Sequence, residues 1–211
     1  MLSLPGNGIN ISSTPKTFCE DCQPAWDISG NGAWLVYGRE SDRIIVAREV
    51  ATGNIAELIR ADAGIIARLR ISPDDRWVTF INRSADAVRI FVAPFRPGHL
   101  TPRDQWVALN NTGSLDTYPA WSPDGSMIYY ISDRDGKTCV WVQRFDSSTG
   151  RPAGDPVAAW HLHEARRSIS GVPVRTQSVT GAPGRLVTNL SESTGNIWMS
   201  VDPPRQRQQA N

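Results

Sequence analysis

A chain of 211 residues, 40% hydrophobic and 20% charged, has the make-up of an ordinary globular protein, with room for one large all-β domain or two small ones. Its 22 basic and 21 acidic residues leave a net charge of +1, so no bulk field draws it to nucleic acid or to a membrane surface. No apolar stretch approaches the roughly 18 to 20 residues that span a bilayer as a helix.

The first segment, "MLSLPGNGINISSTPKTF", lacks the basic and apolar regions of a signal peptide. Either the protein stays where it is made, or the targeting segment belongs to a longer chain. Cys19 and Cys22 follow as Cys-x-x-Cys, which fits half a zinc site or a redox pair. Zinc takes about four ligands, and the other candidates, Cys139, His99, His161 and His163, have no finger-like spacing. A thioredoxin-type pair needs a βαβ pattern that does not follow. A structural hairpin, with or without a disulfide, is the reading these residues favour.

Next comes "PAWDISGNGAWLVYGRESDRIIVAREV" at 24–50, a strand, a turn, a second strand, a polar turn and a third strand. Residues 51–72 fit a helical stripe only loosely through Ile55, Leu58, Ile59 and Ile66. Gly53 and Gly64 interrupt that stripe, and "IARLRIS" alternates as a strand does. The same three-strand plan returns in "LRISPDDRWVTFINRSADAVRIFVAPF" at 69–95 and in "PAWSPDGSMIYYISDRDGKTCVWVQRFD" at 119–146. It returns more weakly in "SVTGAPGRLVTNLSESTGNIWMSVD" at 178–202. Between the copies, "NIAELIR", "DQWVALN" and "DPVAAWHL" supply candidate fourth strands. Gly32, Asp75, Gly125 and Gly184 occupy equivalent turn positions, at intervals of 43, 50 and 59 residues. Four short antiparallel strands in a period of about 40 to 50 residues are the signature of a propeller blade. The expected fold is therefore an all-β propeller with blades at about 19–62, 63–112, 113–168 and 172–202, in one domain over 1–202. The polar, Pro-rich tail 203–211 is expected to be disordered.

Turn chemistry accounts for the repeated motif without catalysis. Pro123 presets the backbone, Asp124 can bond its own main chain, and Gly125 accepts a positive φ, with Ser122 completing the turn. Ser72, Pro73 and Asp74 repeat this, but Asp75 stands where glycine is expected, and the fourth copy has only "GAPG". Irregular geometry is expected at those two turns. Asp133, Asp135 and Gly136 form the second, polar turn of the third copy. Its spacing is like a calcium loop, but the closing glutamate is absent. The eight tryptophans fall mostly on strands and are expected to fill the wedges between blades. "WHLHEARR" puts His161 and His163 on one side of a strand beside Glu164, without an identifiable third metal ligand. No nucleophile elbow, phosphate loop or kinase catalytic motif is present, so neither a catalytic residue nor a cofactor is expected.

"YPAWSPDGSMIYYISDRDGKTCVWVQRFD" resembles the WD-like repeat of TolB and related bacterial propellers. "CEDCQPAWDISGNGAWLVYG", "WHLHEARRS" and "STGNIWMSVD" are similar to the last blades of such propellers attached to bacterial Ser/Thr kinases or winged-helix regulators. The resemblance spans about 19–202. It implies a scaffold that binds a protein partner or other ligand, often outside the cytoplasm, and it transfers no active site. Two functional classes follow: a non-catalytic binding propeller, or the regulatory or gating part of a larger kinase or prolyl-oligopeptidase-like hydrolase.

The strand count leaves closure open. Residues 8–13 pairing with 196–201 would close a four-bladed ring. Otherwise the chain is an open arc, the C-terminal part of a propeller of about six blades, and aggregation-prone or partnered when alone. The arc is the expected arrangement.

Overall fold

The computed structural model describes residues 25–39, 41–85, 87–109, 113–161, 167–173, 177–192 and 194. Four strands make the first sheet: β1 (Ala25–Ile28), β2 (Trp34–Arg39), β3 (Ile44–Glu49) and β4 (Ile55–Arg60), antiparallel and paired in chain order. The second sheet repeats this with β5 (Ile65–Ile71), β6 (Trp77–Arg83), β7 (Val88–Pro94) and β8 (Val107–Ala108). The third has β9 (Thr117–Trp121), β10 (Met127–Ser132), β11 (Cys139–Asp146) and β12 (Arg151–Trp160). The loosely helical stretch thus divides into β4 and β5. A 3-10 turn at Arg103–Gln105 is the only helical segment among the described residues.

The fourth unit differs. β13 (Arg167–Ser168) pairs with β16 (Ser191–Glu192), and β14 (Val179–Ala182) with β15 (Arg185–Thr188), as two separate ribbons. "NIWMSVD", residues 8–13 and the tail lie outside the described residues, and with them the strand pairing that distinguishes ring from arc.

Strand alternation gives each sheet two apolar faces, one for each neighbour. Ile45 and Ala47 of β3 join Val78 and Phe80 of β6 in the core between the first and second sheets. Ile81 and Ile90 turn the other way and meet Trp121, Ile128 and Tyr130 of the third sheet. Ile131 and Val140 then pack on Ile169 and Val179 of the fourth unit. Tyr37, Ile44 and Val46, on the remaining face of the first sheet, are buried as well. The innermost strands β1, β5, β9 and β14 lie side by side, which puts the axis of the fold along them. Most tryptophans among the described residues pack in these wedges. Trp160 does not: it ends the outermost strand of its sheet and is 45% exposed.

One hydrogen-bond pattern recurs at the first turn of three units. In the third, Gly125 N–H donates to the Ser122 carbonyl at 2.9 Å, the Ser122 hydroxyl donates to Asp124 at 2.5 Å, and Met127 N–H donates back to Ser122 Oγ at 2.9 Å. Ser72, Asp74, Asp75 and Trp77 repeat all three bonds in the second unit. Ser29, Asn31, Gly32 and Trp34 repeat them in the first. The irregularity expected at Asp75 is absent. Asp75 adopts the left-handed φ of 55°, which short polar side chains tolerate, and matches Gly32 at 70° and Gly125 at 71°. Its carboxylate accepts hydrogen bonds from Gly30 N–H at 2.7 Å and Asn31 N–H at 3.2 Å, across to the neighbouring turn. Aspartate here replaces conformational freedom with a tie between units.

The turn carries a pH dependence. Hydrogen bonds from Ser122 and Ser126 hold the Asp124 carboxyl down at about 2. Folding therefore favours the charged form, and this stabilisation is complete above the unfolded value of 3.8 and is lost as pH falls through about 2. Urea midpoints of wild type and Asp124→Asn should differ at pH 6 and converge as pH falls from 4 towards 2. A gap that stays constant over that range would remove Asp124 as the cause.

Candidate functional site

The first-turn end of the axis holds a cavity of about 450 Å³ to which all four units contribute. Its walls include Asp27 and Ile28 of β1, Arg70 and Ile71 of β5, Trp121 of β9, and Thr180 of β14. Pro73, Pro123 and Pro183 bring the turns to the rim. A second cavity, of about 530 Å³, lies on the far side of the Pro123 turn and adds Tyr129 and Leu186 to the apolar surface.

Backbone pairing fixes these side chains. Asp27 accepts from Ile71 N–H at 2.9 Å, spanning the first and second units. Trp121 Nε1–H donates to the Arg70 carbonyl at 3.2 Å, spanning the second and third. The Arg70 guanidinium donates to the Trp26 carbonyl, which leans it over the cavity wall. Gly181 is what lets β14 come close: a Cβ there would lie 3.0 Å from the Trp121 carbonyl oxygen and 3.3 Å from the Tyr129 ring. The pocket thus offers one cation, one acid and aromatic and proline surfaces, a set suited to a peptide-like ligand.

Further along the same strands, Arg68 and Tyr118 are non-glycine residues at φ of 57° and 54°. Both sit at breaks in strand register, between Ala67 and Arg70 and at the start of β9. The Arg68 guanidinium lies 4.7 Å from the Tyr118 ring centroid. Two equivalent bulges therefore turn large polar side chains toward their neighbours, a strained arrangement that neighbouring structure must hold.

The residues singled out in the sequence scatter. Ser122, Pro123, Ser72 and Pro73 line the axial cavity, and Asp124 the second. Asp74 accepts within its own turn. At the opposite end of the third sheet, Asp133 accepts from Leu115 N–H at 2.8 Å, and Gly136 N–H donates to the Asp133 carbonyl. Asp135, Cys139 and His161 come together there, which their spacing did not suggest. Cys19, Cys22, His163 and Glu164 lie outside the described residues. Arg70 and Asp27 were missed, though aligning the copies on their turn serines puts both two residues before it.

No family model matches the chain, and no curated protein does. Solved structures do. A puromycin-hydrolyzing peptidase of Mycobacterium tuberculosis is 20% identical at a TM-score of 0.55, over 79% of this chain and 28% of the peptidase. TolB from Acinetobacter baumannii is 19% identical at a TM-score of 0.45, over 61% of this chain and 32% of TolB. The β-propeller domain of Cps50 (Swd1) from Myceliophteria thermophila is 15% identical at a TM-score of 0.46, over 80% of this chain and 52% of that one. The chain therefore spans about a third or less of the peptidase and of TolB. Strand order and the repeated turn identify the fold as blades of a β-propeller.

Proposed function

We propose that the chain is a non-catalytic propeller scaffold whose axial cavity binds an extended segment of a partner protein. The observation that carries this reading is the cavity itself. Four units converge on it, and among the described residues its lining contains no paired nucleophile and base. Arg70 supplies charge recognition, and the three prolines supply rigid contact area.

Selection of a random peptide library on the immobilised chain, followed by calorimetric titration, tests it. Peptides that bind at micromolar affinity should lose at least tenfold on Arg70→Ala, roughly 1.4 kcal/mol or more. Binders indifferent to Arg70→Ala and to Gly181→Leu would place recognition elsewhere. The isolated chain should turn over no peptide, ester or phosphoryl-transfer substrate.

A second reading, a gating or regulatory propeller of a larger hydrolase or kinase, draws support from the peptidase likeness. A partner segment belonging to an adjoining catalytic domain would join the two readings.

A further inference from the structure

Asp135, Cys139 and His161 meet at the end of the third sheet away from the axial cavity. Cys139 opens β11, and the pairing of Val140 with Trp160 sets it across the ladder from His161, which follows β12. The turn from β10 to β11 brings Asp135 over the pair. Cys139 Sγ lies 3.6 Å from His161 Nδ1, and His161 Nδ1 lies 3.3 Å from Asp135 Oδ2. All three donor atoms fall within 4.8 Å of one another.

These separations discriminate between two chemistries. A nucleophile–base–carboxylate relay uses one imidazole nitrogen for the nucleophile and the other for the acid. Here thiol and carboxylate approach the same nitrogen, and Cys139 is fully buried, out of a substrate's reach. Ligands of a tetrahedral zinc ion, with bonds of about 2.0–2.3 Å, stand roughly 3.3–3.6 Å apart. Two edges of the cluster have that length, and the third pair of donor atoms lies within 4.8 Å.

We propose that Asp135, Cys139 and His161 form a zinc-binding site. Thiolate, imidazole and carboxylate together select zinc over calcium or magnesium, which take oxygen ligands. Asp135 Oδ1 accepts from Lys137 N–H at 3.2 Å, which orients the carboxylate and leaves Oδ2 for the metal. On binding, the Cys139 thiol gives its proton to solvent and the thiolate sulfur bonds to zinc. The His161 side chain, 53% exposed, opens the site toward solvent. The ion ties the outermost strand of the third sheet to its inner turn.

Cobalt is the probe, in a chain carrying Cys19→Ser and Cys22→Ser so that Cys139 is the only thiol. After chelator treatment, one equivalent of Co2+ should give thiolate charge-transfer absorption and intense visible bands, and Zn2+ should displace them. Trp141, whose ring lies 6.5 Å from that of His161, should be quenched in the same titration. His161→Gln and Asp135→Asn alter exposed groups and should keep the circular dichroism spectrum while weakening Co2+ at least tenfold. Absence of the absorption in the parent chain would overturn the proposal, and so would absorption undiminished in His161→Gln.

Discussion

Phe80→Ala should lower stability by about 3–5 kcal/mol, among the largest effects of any single truncation in the chain. Phe80 is fully buried in the middle of β6, on the face turned toward the first sheet. Its ring meets Trp106 edge-on at 4.9 Å and stacks on Phe91 at 6.1 Å. Arg103 covers the same cluster, with its guanidinium 4.4 Å from the Phe91 centroid and 4.5 Å from that of Trp106. Removing the ring opens a void between rigid neighbours held by paired strands, so little collapse can offset it. At roughly 2–4 °C per kcal/mol for a chain of this size, the melting temperature should fall by about 6–20 °C. Val187→Ala, at a side chain 58% exposed, should change it by little, about 0.5 kcal/mol at most. A Phe80→Ala protein within a degree or two of wild type would mean that the first two sheets do not share this core.

Asp116→Ala should be comparably damaging for a different reason. Asp116 precedes β9 with its side chain only 2% exposed, and Arg134 in the opposite turn is 10% exposed. One guanidinium nitrogen reaches both carboxylate oxygens, at 3.3 and 3.4 Å. The same guanidinium lies 5.2 Å from the Tyr130 centroid and 4.7 Å from that of Trp141, and its Nε donates to Ser132. Losing the carboxylate leaves a buried cation without its counter-charge, a cost of about 3–5 kcal/mol. Pairing Asp116→Leu with Arg134→Met should recover most of that loss, because both desolvation costs disappear together. If the double variant melts no higher than Asp116→Ala, the damage comes from packing instead of uncompensated charge.

The sequence announces what is local. Alternation marks the strands, and the Ser-Pro-Asp-Gly turn marks its own hydrogen bonds, because donor and acceptor lie within five residues. Fourth strands are harder. β12 runs through Pro152 and Pro156, which an outermost strand tolerates since one of its edges has no ladder to complete. β8 shrinks to two residues because Trp106 turns into the core beside Phe80. Contacts across the chain leave no local mark. Asp75 has the look of a defective turn until the neighbouring Gly30 is beside it. Asp135, Cys139 and His161 are separated by strands whose register, bulges included, decides whether they meet. The axial residues lie in between: Arg70 and Asp27 become visible once the copies are aligned, but their common cavity does not.

The ties between units join different groups on their two sides. The turn of the second unit accepts from that of the first through Asp75, and Trp121 of the third donates to the strand of the second. Each unit therefore offers a leading surface that fits the trailing surface of its predecessor, and the two surfaces are unlike. Head-to-tail contacts of this kind have no built-in stopping point: they close when successive rotations sum to a full circle, and otherwise continue from molecule to molecule. Whether such a chain forms a solitary ring or a chain of copies is then a matter of angle per blade, not of how tightly any two blades adhere.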